Sequence, residues 1–227
     1  MIGKDGSRPT SDGLRPRGFG ARRSFAGVSL DPKAAFDYIS SFRYGNVYVG
    51  PIQIREETVE FMHRIAEAPP RRVLEIGTGL GGTLFLFARV AAPDATLMTV
   101  EQQRPLGYPR TYAPLLKSFA RDRHTIHLVR ADSHDPETLE RIRSHFGGSI
   151  DLLFIDGDHT YDGVRFDHEL YGPLVRSGGL IAFHDIMPGP YEAVGEVARY
   201  RQEIGGDGEE MVADYSQQGC GIGLLRV

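Results

Sequence analysis

A glycine-rich stretch between residues 73 and 83 constrains the fold of this chain more than any other part of the sequence. It begins with a short apolar run, Val73–Ile76, passes through four glycines and leads into a second apolar segment, Leu84–Ala92. This order predicts a buried strand, a tight turn and the start of a helix. Glycine in such a turn permits a positive φ and, because it lacks a Cβ, lets a ligand approach the backbone closely. The stretch therefore predicts a binding site for a nucleotide-like cofactor.

Apolar runs and helical segments alternate around this turn. Five runs predict strands, namely Arg72–Gly77, Thr96–Glu101, Thr125–Arg130, Asp151–Asp156 and Leu180–Asp185. The segments between them predict helices, namely Gly82–Ala92, Pro109–Arg121, Asp135–Phe146 and Tyr161–Arg176. Strands that are apolar throughout are typical of a parallel sheet that helices cover on both faces.

A further helix, near Tyr191 to Glu203, precedes two last predicted strands, Met211–Tyr215 and Cys220–Val227. The short turn Ser216–Gly219 joins these strands, and a connection of this length makes them antiparallel. We therefore predict an α/β, Rossmann-like fold with a seven-stranded, mostly parallel sheet, an antiparallel C-terminal hairpin and helices on both faces.

Composition and caps divide the chain into three parts. Residues 1–30 contain six Lys or Arg against two Asp, a net charge of +4, together with six glycines and no hydrophobic period. They predict a flexible basic arm, or alternatively a lid or a contact to a partner subunit in a homodimer. Residues 31–70 predict a helical cap or lid, with Asp31 as N-cap and Pro32 at the first helical position. The cofactor-binding domain is expected over residues 71–227.

The overall composition excludes several classes of protein. The net charge of −4 gives no signature of nucleic-acid binding, and no apolar run reaches the 18 residues or so of a membrane span. The single cysteine, Cys220, excludes a disulfide framework and favours a reducing compartment. The first residues lack the apolar core of a secretory signal. We therefore expect a cytoplasmic protein with a small-molecule partner and with neither a nucleic-acid nor a membrane partner.

Two cofactors fit the glycine turn. Gly77, Gly79 and Gly82 satisfy the G-x-G-x-x-G pattern of dinucleotide sites, and Glu101 ends the next strand, where it suits the ribose hydroxyls of either NAD or S-adenosylmethionine. Glu75, two residues before the first glycine, favours the positively charged S-adenosylmethionine over a pyrophosphate. The two predicted helices before the turn and the predicted antiparallel hairpin at the end of the chain also favour S-adenosylmethionine over NAD.

The segment Glu75–Gly82, read as E-I-G-T-G-x-G-G, resembles the first motif of class I S-adenosylmethionine-dependent methyltransferases. Two later segments, Ile155–Val164 and Gly178–Asp185, resemble the branch that contains macrocin-type and rhamnosyl O-methyltransferases and cephalosporin-hydroxylase-like proteins. The resemblance covers roughly residues 50–227. It implies transfer of a methyl group from S-adenosylmethionine to a hydroxyl of a small molecule, such as a sugar, a nucleoside or another natural product.

The same resemblance implies which residues bind the cofactor. The glycine backbone would line the methionine and ribose portion, Glu101 would bind the ribose hydroxyls, and Asp132 and Ser133 would lie beside the adenine. Asp132 could instead be a turn or capping residue. The full predicted set is Glu75, Gly77, Thr78, Gly79, Gly81, Glu101, Asp132, Ser133 and Asp156.

Acidic and imidazole groups follow the two neighbouring strands of the second half. Asp156, His184 and Asp185 could supply three ligands to one divalent ion, Mg²⁺ or Mn²⁺, and the resemblance places metal-binding residues at these positions. It places a candidate base at Asp158, whereas His184 departs from the acid that is usual in those metal enzymes. Two alternatives remain open. His159 or His184 could act as the general base of a metal-independent O- or N-methyltransferase, or Asp158 and His159 could only cap the following helix.

The acceptor pocket is expected to face this group of residues. Its predicted walls are the aromatic-rich loop Phe42–Gln53 and the segment Met187–Tyr191, whose tyrosines could stack on a ring or bind a sugar hydroxyl.

Overall fold

A mixed sheet of seven strands organises the described part of the chain, which comprises residues 25, 27–45, 47–102, 111–147, 149–190, 195–206 and 208–227 of the computed structural model. The described residues form nine strands, which in chain order are β1 (Arg43–Tyr44), β2 (Val47–Tyr48), β3 (Arg72–Ile76), β4 (Thr96–Val100), β5 (Thr125–Val129), β6 (Ile150–Ile155), β7 (Val175–His184), β8 (Glu209–Met211) and β9 (Ile222–Arg226). Strands β1 and β2 form a separate two-stranded sheet, and the other seven form the mixed sheet. The helices are α1 (Pro32–Ser41), α2 (Arg55–Ala66), α3 (Gly82–Val90), α4 (Tyr112–Lys117), α5 (Pro136–Phe146), α6 (Tyr161–Tyr171) and α7 (Val197–Ile204).

The main sheet has the strand order β5-β4-β3-β6-β7-β9-β8. Strands β3 to β7 are parallel, and β9 runs antiparallel to both β7 and β8. This confirms the predicted architecture. The chain leaves β3 towards β4 on one side and later returns to β6 on the other, and such a reversal opens a crevice at the carboxyl ends of the strands. Ile76, Ile155 and Phe183 are paired in register, so β3, β6 and β7 end at the same edge.

Two apolar clusters cover the faces of the sheet. One contains Phe61, Phe85 and Phe87 from the helices on one face, and the other contains Leu74, Leu153 and residues of the opposite face. The helices α1 and α2 belong to the first cluster, so the residues expected to form a cap share the main core. Asp31 caps α1 as predicted, by accepting a hydrogen bond from the backbone N–H of Ala34 at 2.8 Å.

The packed part of the chain includes Phe25, which the sequence assigned to the flexible arm. Phe25 is 2% exposed and packs against the rings of Phe85 and Phe119. The buried guanidinium of Arg89 donates to the carbonyl oxygens of Phe25 at 3.1 Å and Phe119 at 2.5 Å. Most of the predicted arm, residues 1–24, lies outside the described residues.

The boundary between α6 and β7 differs from the prediction. The helix ends at Tyr171, ten-residue β7 begins at Val175 instead of Leu180, and a 3₁₀ turn lies between them. Pro173 within this turn cannot continue an α-helix. Gly178 and Gly179 form a register shift inside β7, between the pairs Ile150–Val175 and Leu152–Leu180, so they bend the strand and do not precede it.

The C-terminal strands are shorter than predicted, and ten residues, 212–221, connect them. This connection is held by Glu57 of α2, whose side-chain oxygens accept hydrogen bonds from the N–H groups of Ala213 (3.1 Å) and Gly221 (2.9 Å) and from the amide of Gln217 (2.6 Å). The antiparallel pairing is confirmed, but the connection between the two strands is this anchored loop of ten residues and not the four-residue turn Ser216–Gly219. Among the described residues, none of the helices combines the length and apolarity needed to cross a bilayer.

Candidate active site

The glycine turn after β3 lies against the end of β6. Gly77 has φ of 93°, and a Cβ at this position would stand 1.9 Å from the backbone oxygen of Asp156. Gly79 has φ of 46°, and a Cβ there would meet nothing within 4 Å. Its N–H donates to Oε2 of Glu101 at 3.1 Å. The turn therefore requires glycine for two reasons: Gly77 for contact with β6, and Gly79 for a backbone conformation on an open face.

A first cavity, of about 470 Å³, opens beside this turn. Gly77, Gly79 and Glu101 form one side of it, and Asp132 and Ser133 form another. Asp132 is also a turn residue, because its side chain accepts hydrogen bonds from the N–H of residue 134 and from the amide of residue 102. The residues that line this cavity are Ile76, Gly77, Gly79, Val100, Glu101, Gln102, Ala131, Asp132, Ser133, His134, Asp156, Gly157 and Asp158.

A second cavity, of about 420 Å³, also borders the glycine turn. It shares Gly77, Gly79 and Asp156 with the first cavity. Its further lining residues are Gly50, Pro51, Ile52, Gln53, Thr78, Leu80, Gly82, Thr83, His159, His184, Asp185, Gln218 and Cys220. The end of the loop Phe42–Gln53, a predicted wall of the acceptor pocket, lines this cavity, and Gln218 and Cys220 line it where Met187–Tyr191 were expected. Tyr191 itself lies outside the described residues.

The second cavity contains a compact group of two carboxylates and two imidazoles. Oδ1 of Asp156 lies 3.1 Å from Nδ1 of His184 and 3.4 Å from Nε2 of His159. Oδ2 of Asp185 lies 3.4 Å from Nδ1 of His159 and 3.3 Å from Nδ1 of His184. The structure therefore brings together the predicted ligands Asp156, His184 and Asp185, and it adds His159.

Neighbouring polar groups fix the two carboxylates of this group. The amide of Gln53 donates to Oδ2 of Asp156 at 2.7 Å, and the hydroxyl of Thr83 donates to the Gln53 oxygen at 3.3 Å. Asp185 has φ of 61°, a left-handed conformation that is strained for a residue with a Cβ. The N–H of Cys220 donates to its Oδ1 at 3.0 Å. Both carboxylates are therefore held in place before any ligand binds.

Mutual attraction shifts the acid–base equilibria of the group. Burial alone would raise the pKa of Asp156, but His184 and His159 hold that pKa below its ordinary value. Hydrogen bonding to Asp156 raises the pKa of His159. Burial alone would lower the pKa of His184, yet Asp156 raises it well above its ordinary value. A metal ion bound here would compete with protons on both rings, since only a neutral imidazole is a ligand.

Two predicted cofactor residues do not line either cavity. Glu75 is 0% exposed inside β3, where it pairs with Thr99 of β4, and burial raises its carboxyl pKa well above the ordinary value. Gly81 is the N-cap of α3, and a Cβ on it would stand 2.3 Å from Leu116. Direct contact of these two residues with a cofactor stays a prediction, because a sequence motif does not distinguish a glycine or an acid needed for packing from one that faces a ligand. Thr78 lines the second cavity, and its hydroxyl is hydrogen-bonded to Thr99.

The two residues predicted to act as bases are separated. His159 lines the second cavity, in contact with both carboxylates, whereas Asp158 lines the first cavity. Oδ1 of Asp158 accepts the N–H of Thr160 at 2.9 Å, and Thr160 is the N-cap of α6. This geometry favours the turn role for Asp158 and leaves His159 as the base candidate next to the carboxylates.

Sequence reasoning missed two residues that shape the site. Cys220 lines the second cavity and binds Asp185 through its N–H, and Glu57 anchors the loop that carries Cys220. The one signal in the sequence was the position of Cys220, the only cysteine, at the expected start of a strand. Glu57 gave none, because its partners lie at least 156 positions away in the chain.

Comparison with known proteins agrees with this geometry. Residues 74–186 match the methyltransferase domain family. Rhamnosyl O-methyltransferase of Mycobacterium tuberculosis is 26% identical over 147 residues, which cover 57% of this chain and 56% of that protein. The O-methyltransferase TomG of Streptomyces achromogenes, solved with S-adenosylmethionine, superposes with a TM-score of 0.57 at 17% identity, covering 89% of this chain and 96% of TomG. MycE of the mycinamycin biosynthetic pathway, solved with Mg and S-adenosylhomocysteine, gives 0.51 at 21% identity, covering 77% of this chain and 44% of MycE.

By its domain match and its strand order, this chain belongs to the class I S-adenosylmethionine-dependent methyltransferases. Within that class the mycobacterial relative is named for O-methylation of a rhamnosyl group, and this chain spans 56% of its length.

Proposed function

We propose that this protein transfers a methyl group from S-adenosylmethionine to a hydroxyl of a small molecule, a sugar, nucleoside or other natural product, with the help of a divalent metal ion. One observation carries the proposal. Two cavities meet at the wall formed by Gly77, Gly79 and Asp156, and one holds the carboxylate of Glu101 while the other holds two imidazoles and two carboxylates. A donor and an acceptor bound on opposite sides of this wall would lie next to each other.

The first cavity fits S-adenosylmethionine. Its volume of about 470 Å³ is within the usual range for cofactor sites. The face of Gly79 where a Cβ would stand is free of protein atoms for 4 Å, so a ligand can approach the backbone there. Glu101 would accept hydrogen bonds from the ribose hydroxyls, and Asp132 and Ser133 would lie beside the adenine, as ligands of parallel sheets bind beyond the strand ends. The family match favours this cofactor over NAD.

The second cavity fits a divalent ion and a hydroxyl acceptor. Atoms of Asp156, His159 and Asp185 lie within 4.8 Å of one another, and they are of the types that Mn²⁺ and later transition metals accept. An ion held by these residues would lower the pKa of an acceptor hydroxyl and orient it. Gln53 keeps Asp156 in position through its 2.7 Å hydrogen bond. The name of the rhamnosyl relative supports a sugar hydroxyl as the acceptor.

A second mechanism for the same reaction uses no metal. The ring of His159 lies 3.4 Å from a carboxylate oxygen on each side, at Asp156 and at Asp185. Two flanking carboxylates stabilise the imidazolium that forms when the ring takes the acceptor proton. Methyl transfer that is unaffected by EDTA but is lost in His159→Ala would favour this mechanism.

Binding experiments test the cofactor, and activity tests the reaction. Calorimetry should show that S-adenosylhomocysteine binds the wild-type protein and that NADH does not compete. Glu101→Gln should weaken S-adenosylhomocysteine binding by about 1.5–3 kcal/mol, the usual contribution of hydrogen bonds to a charged group, while Glu60→Gln on the exposed side of α2 should leave it unchanged. Binding of NADH without binding of S-adenosylhomocysteine would contradict the proposal. A panel of sugars, nucleosides and polyketide-like compounds with methyl-labelled S-adenosylmethionine then identifies the acceptor.

A further inference from the structure

The second cavity contains a thiol next to its nitrogen and oxygen groups. One ligand atom each from His184, Asp185 and Cys220 can be chosen so that all three lie within 4.8 Å of one another. Asp185 belongs both to this triad and to the group with Asp156 and His159. The end of β7 and the loop before β9 thus supply nitrogen, oxygen and sulfur donors to one point.

The ring of His184 interacts with the Cys220 side chain, which helps to raise its pKa, and one of its two nitrogens is buried without a hydrogen-bond partner among the described residues. Its Nδ1 faces Asp156 and Asp185, at 3.1 and 3.3 Å. Its Nε2 has no hydrogen-bond partner among the described residues, although the side chain is only 7% exposed. An unpaired buried polar atom costs roughly 1–3 kcal/mol. A metal ion that accepts the lone pair of this ring would remove that cost.

The backbone around Cys220 is held by two separate hydrogen bonds. The N–H of Cys220 donates to Asp185, and the N–H of the next residue, Gly221, donates to the buried carboxylate of Glu57. Cys220 has φ of 56°, an uncommon conformation for a residue with a Cβ. The loop is therefore held in a strained conformation that keeps the thiol beside His184 and Asp185.

The chemistry of these donors selects a class of ion. On a tetrahedral zinc with bonds of about 2.0–2.3 Å, ligand atoms lie roughly 3.3–3.8 Å apart. The three ligand atoms lie within 4.8 Å of one another, so they would have to approach by at most roughly 1–1.5 Å. Thiolate and imidazole ligands favour Zn²⁺, Co²⁺ and similar ions, whereas Mg²⁺ prefers oxygen ligands throughout. Three protein ligands leave a fourth position open towards the second cavity, which is typical of catalytic zinc sites.

We propose that His184, Asp185 and Cys220 form a site for a divalent ion of the Zn²⁺ and Co²⁺ class, with the thiolate of Cys220 as a direct ligand. The thiol proton passes to solvent when the sulfur–metal bond forms. Any role of this ion in methyl transfer rests on the proposed function, but its binding does not.

Cobalt spectroscopy tests the site directly. Metal-stripped protein titrated with Co²⁺ should develop visible ligand-field bands together with a near-ultraviolet thiolate-to-cobalt charge-transfer band. Because Cys220 is the only cysteine in the chain, this band reports that residue alone. Cys220→Ser should lose the charge-transfer band and bind Zn²⁺ at least about tenfold more weakly in competition with a chromophoric chelator. Ser118→Ala, a buried hydroxyl elsewhere in the molecule, is the control for general effects on folding.

A second measurement uses the wild-type protein, so its result does not depend on whether the Cys220→Ser variant folds. Zn²⁺ should slow the reaction of Cys220 with a disulfide reagent, and Mg²⁺ should not. Ligand-field bands without the charge-transfer band, or an unchanged thiol reaction rate in saturating Zn²⁺, would overturn the inference. Mg²⁺-dependent methyl transfer without a thiolate band would refute this site and leave the proposed function standing. A thiolate band in a protein that does not bind S-adenosylhomocysteine would support this metal site and contradict the proposed function.

Discussion

Substitution of Gly79 by alanine separates binding from stability at the glycine turn. Gly79 has φ of 46°, and an added Cβ would meet no protein atom within 4 Å. The only folding cost is therefore backbone strain, about 1–2 kcal/mol for a left-handed residue with a Cβ. The added methyl group would, however, project into the space where a cofactor approaches the backbone. Crowding of this kind typically costs about 1–3 kcal/mol, which corresponds to roughly 5- to 150-fold in affinity.

Gly147 provides a matched control. It ends α5 with φ of 61° and ψ of 30°, a Cβ there would also meet nothing within 4 Å, and it lines neither cavity. Alanine at Gly147 or at Gly79 should lower Tm by a similar amount, about 2–8 °C for a chain of this size. Only Gly79→Ala should weaken binding of S-adenosylhomocysteine.

Differential scanning fluorimetry and isothermal titration calorimetry measure the two effects on the same samples. Equal affinities of the Gly79→Ala and Gly147→Ala proteins for S-adenosylhomocysteine would refute the placement of the cofactor at this turn. A much larger decrease of Tm in Gly79→Ala than in Gly147→Ala would show that the conformation of Gly79 contributes to stability beyond the backbone strain that the two positions share.

Three further predictions follow from buried groups. Glu57→Gln should reduce the free energy of unfolding in urea by about 2–3 kcal/mol, because the new side-chain NH₂ would face backbone N–H donors. The control Glu60→Gln, at an exposed position, should change this free energy by less than about 0.5 kcal/mol. Equal changes in the two variants would contradict the anchoring role of Glu57. Burial raises the pKa of Asp167 to about 6, so ionisation of this group destabilises the fold as pH rises from about 4 to 6. The stability of wild type relative to Asp167→Asn should therefore fall on the order of 3 kcal/mol from pH 4 to 7, and a pH-independent difference would refute this. Gly77→Ala should lower Tm far more than Gly147→Ala, since its Cβ would collide with a backbone oxygen 1.9 Å away; a similar Tm would show that β3 and β6 can separate there.

The sheet could be predicted from the sequence because its strands are signalled locally. Apolar runs flanked by glycine or charged residues gave β3 and β5 to within one residue of their ends. The start of β7 could not be predicted in this way. Gly178 and Gly179 look like the end of a loop, but pairing with β6 turns them into a bulge within the strand. Strand pairing is a long-range property, and the local pattern does not contain it.

In the candidate site, too, the residues that follow from local sequence and topology could be predicted, and those that depend on long-range contacts could not. Asp156, His184 and Asp185 follow strands that are neighbours in a parallel sheet, so the topology alone brings them together. The role of Glu57 depends on hydrogen bonds to residues at least 156 positions away, and that of Cys220 on a hydrogen bond to Asp185. No rule of sequence spacing predicts such contacts. Glu75 shows the opposite case, because an acid that the motif assigns to the cofactor is buried inside β3, between β4 and β6.

The wall that the two cavities share makes their ligands thermodynamically dependent on each other. Gly77, Gly79 and Asp156 belong to both sites, so a molecule in one site changes the surface that the other molecule meets. Linkage requires the effect to be reciprocal: if S-adenosylhomocysteine changes the affinity for a second compound by some factor, that compound changes the affinity for S-adenosylhomocysteine by the same factor. A compound library can therefore be screened by the shift it causes in S-adenosylhomocysteine binding. The natural acceptor can then be recognised by a binding measurement alone, before conditions for turnover are known.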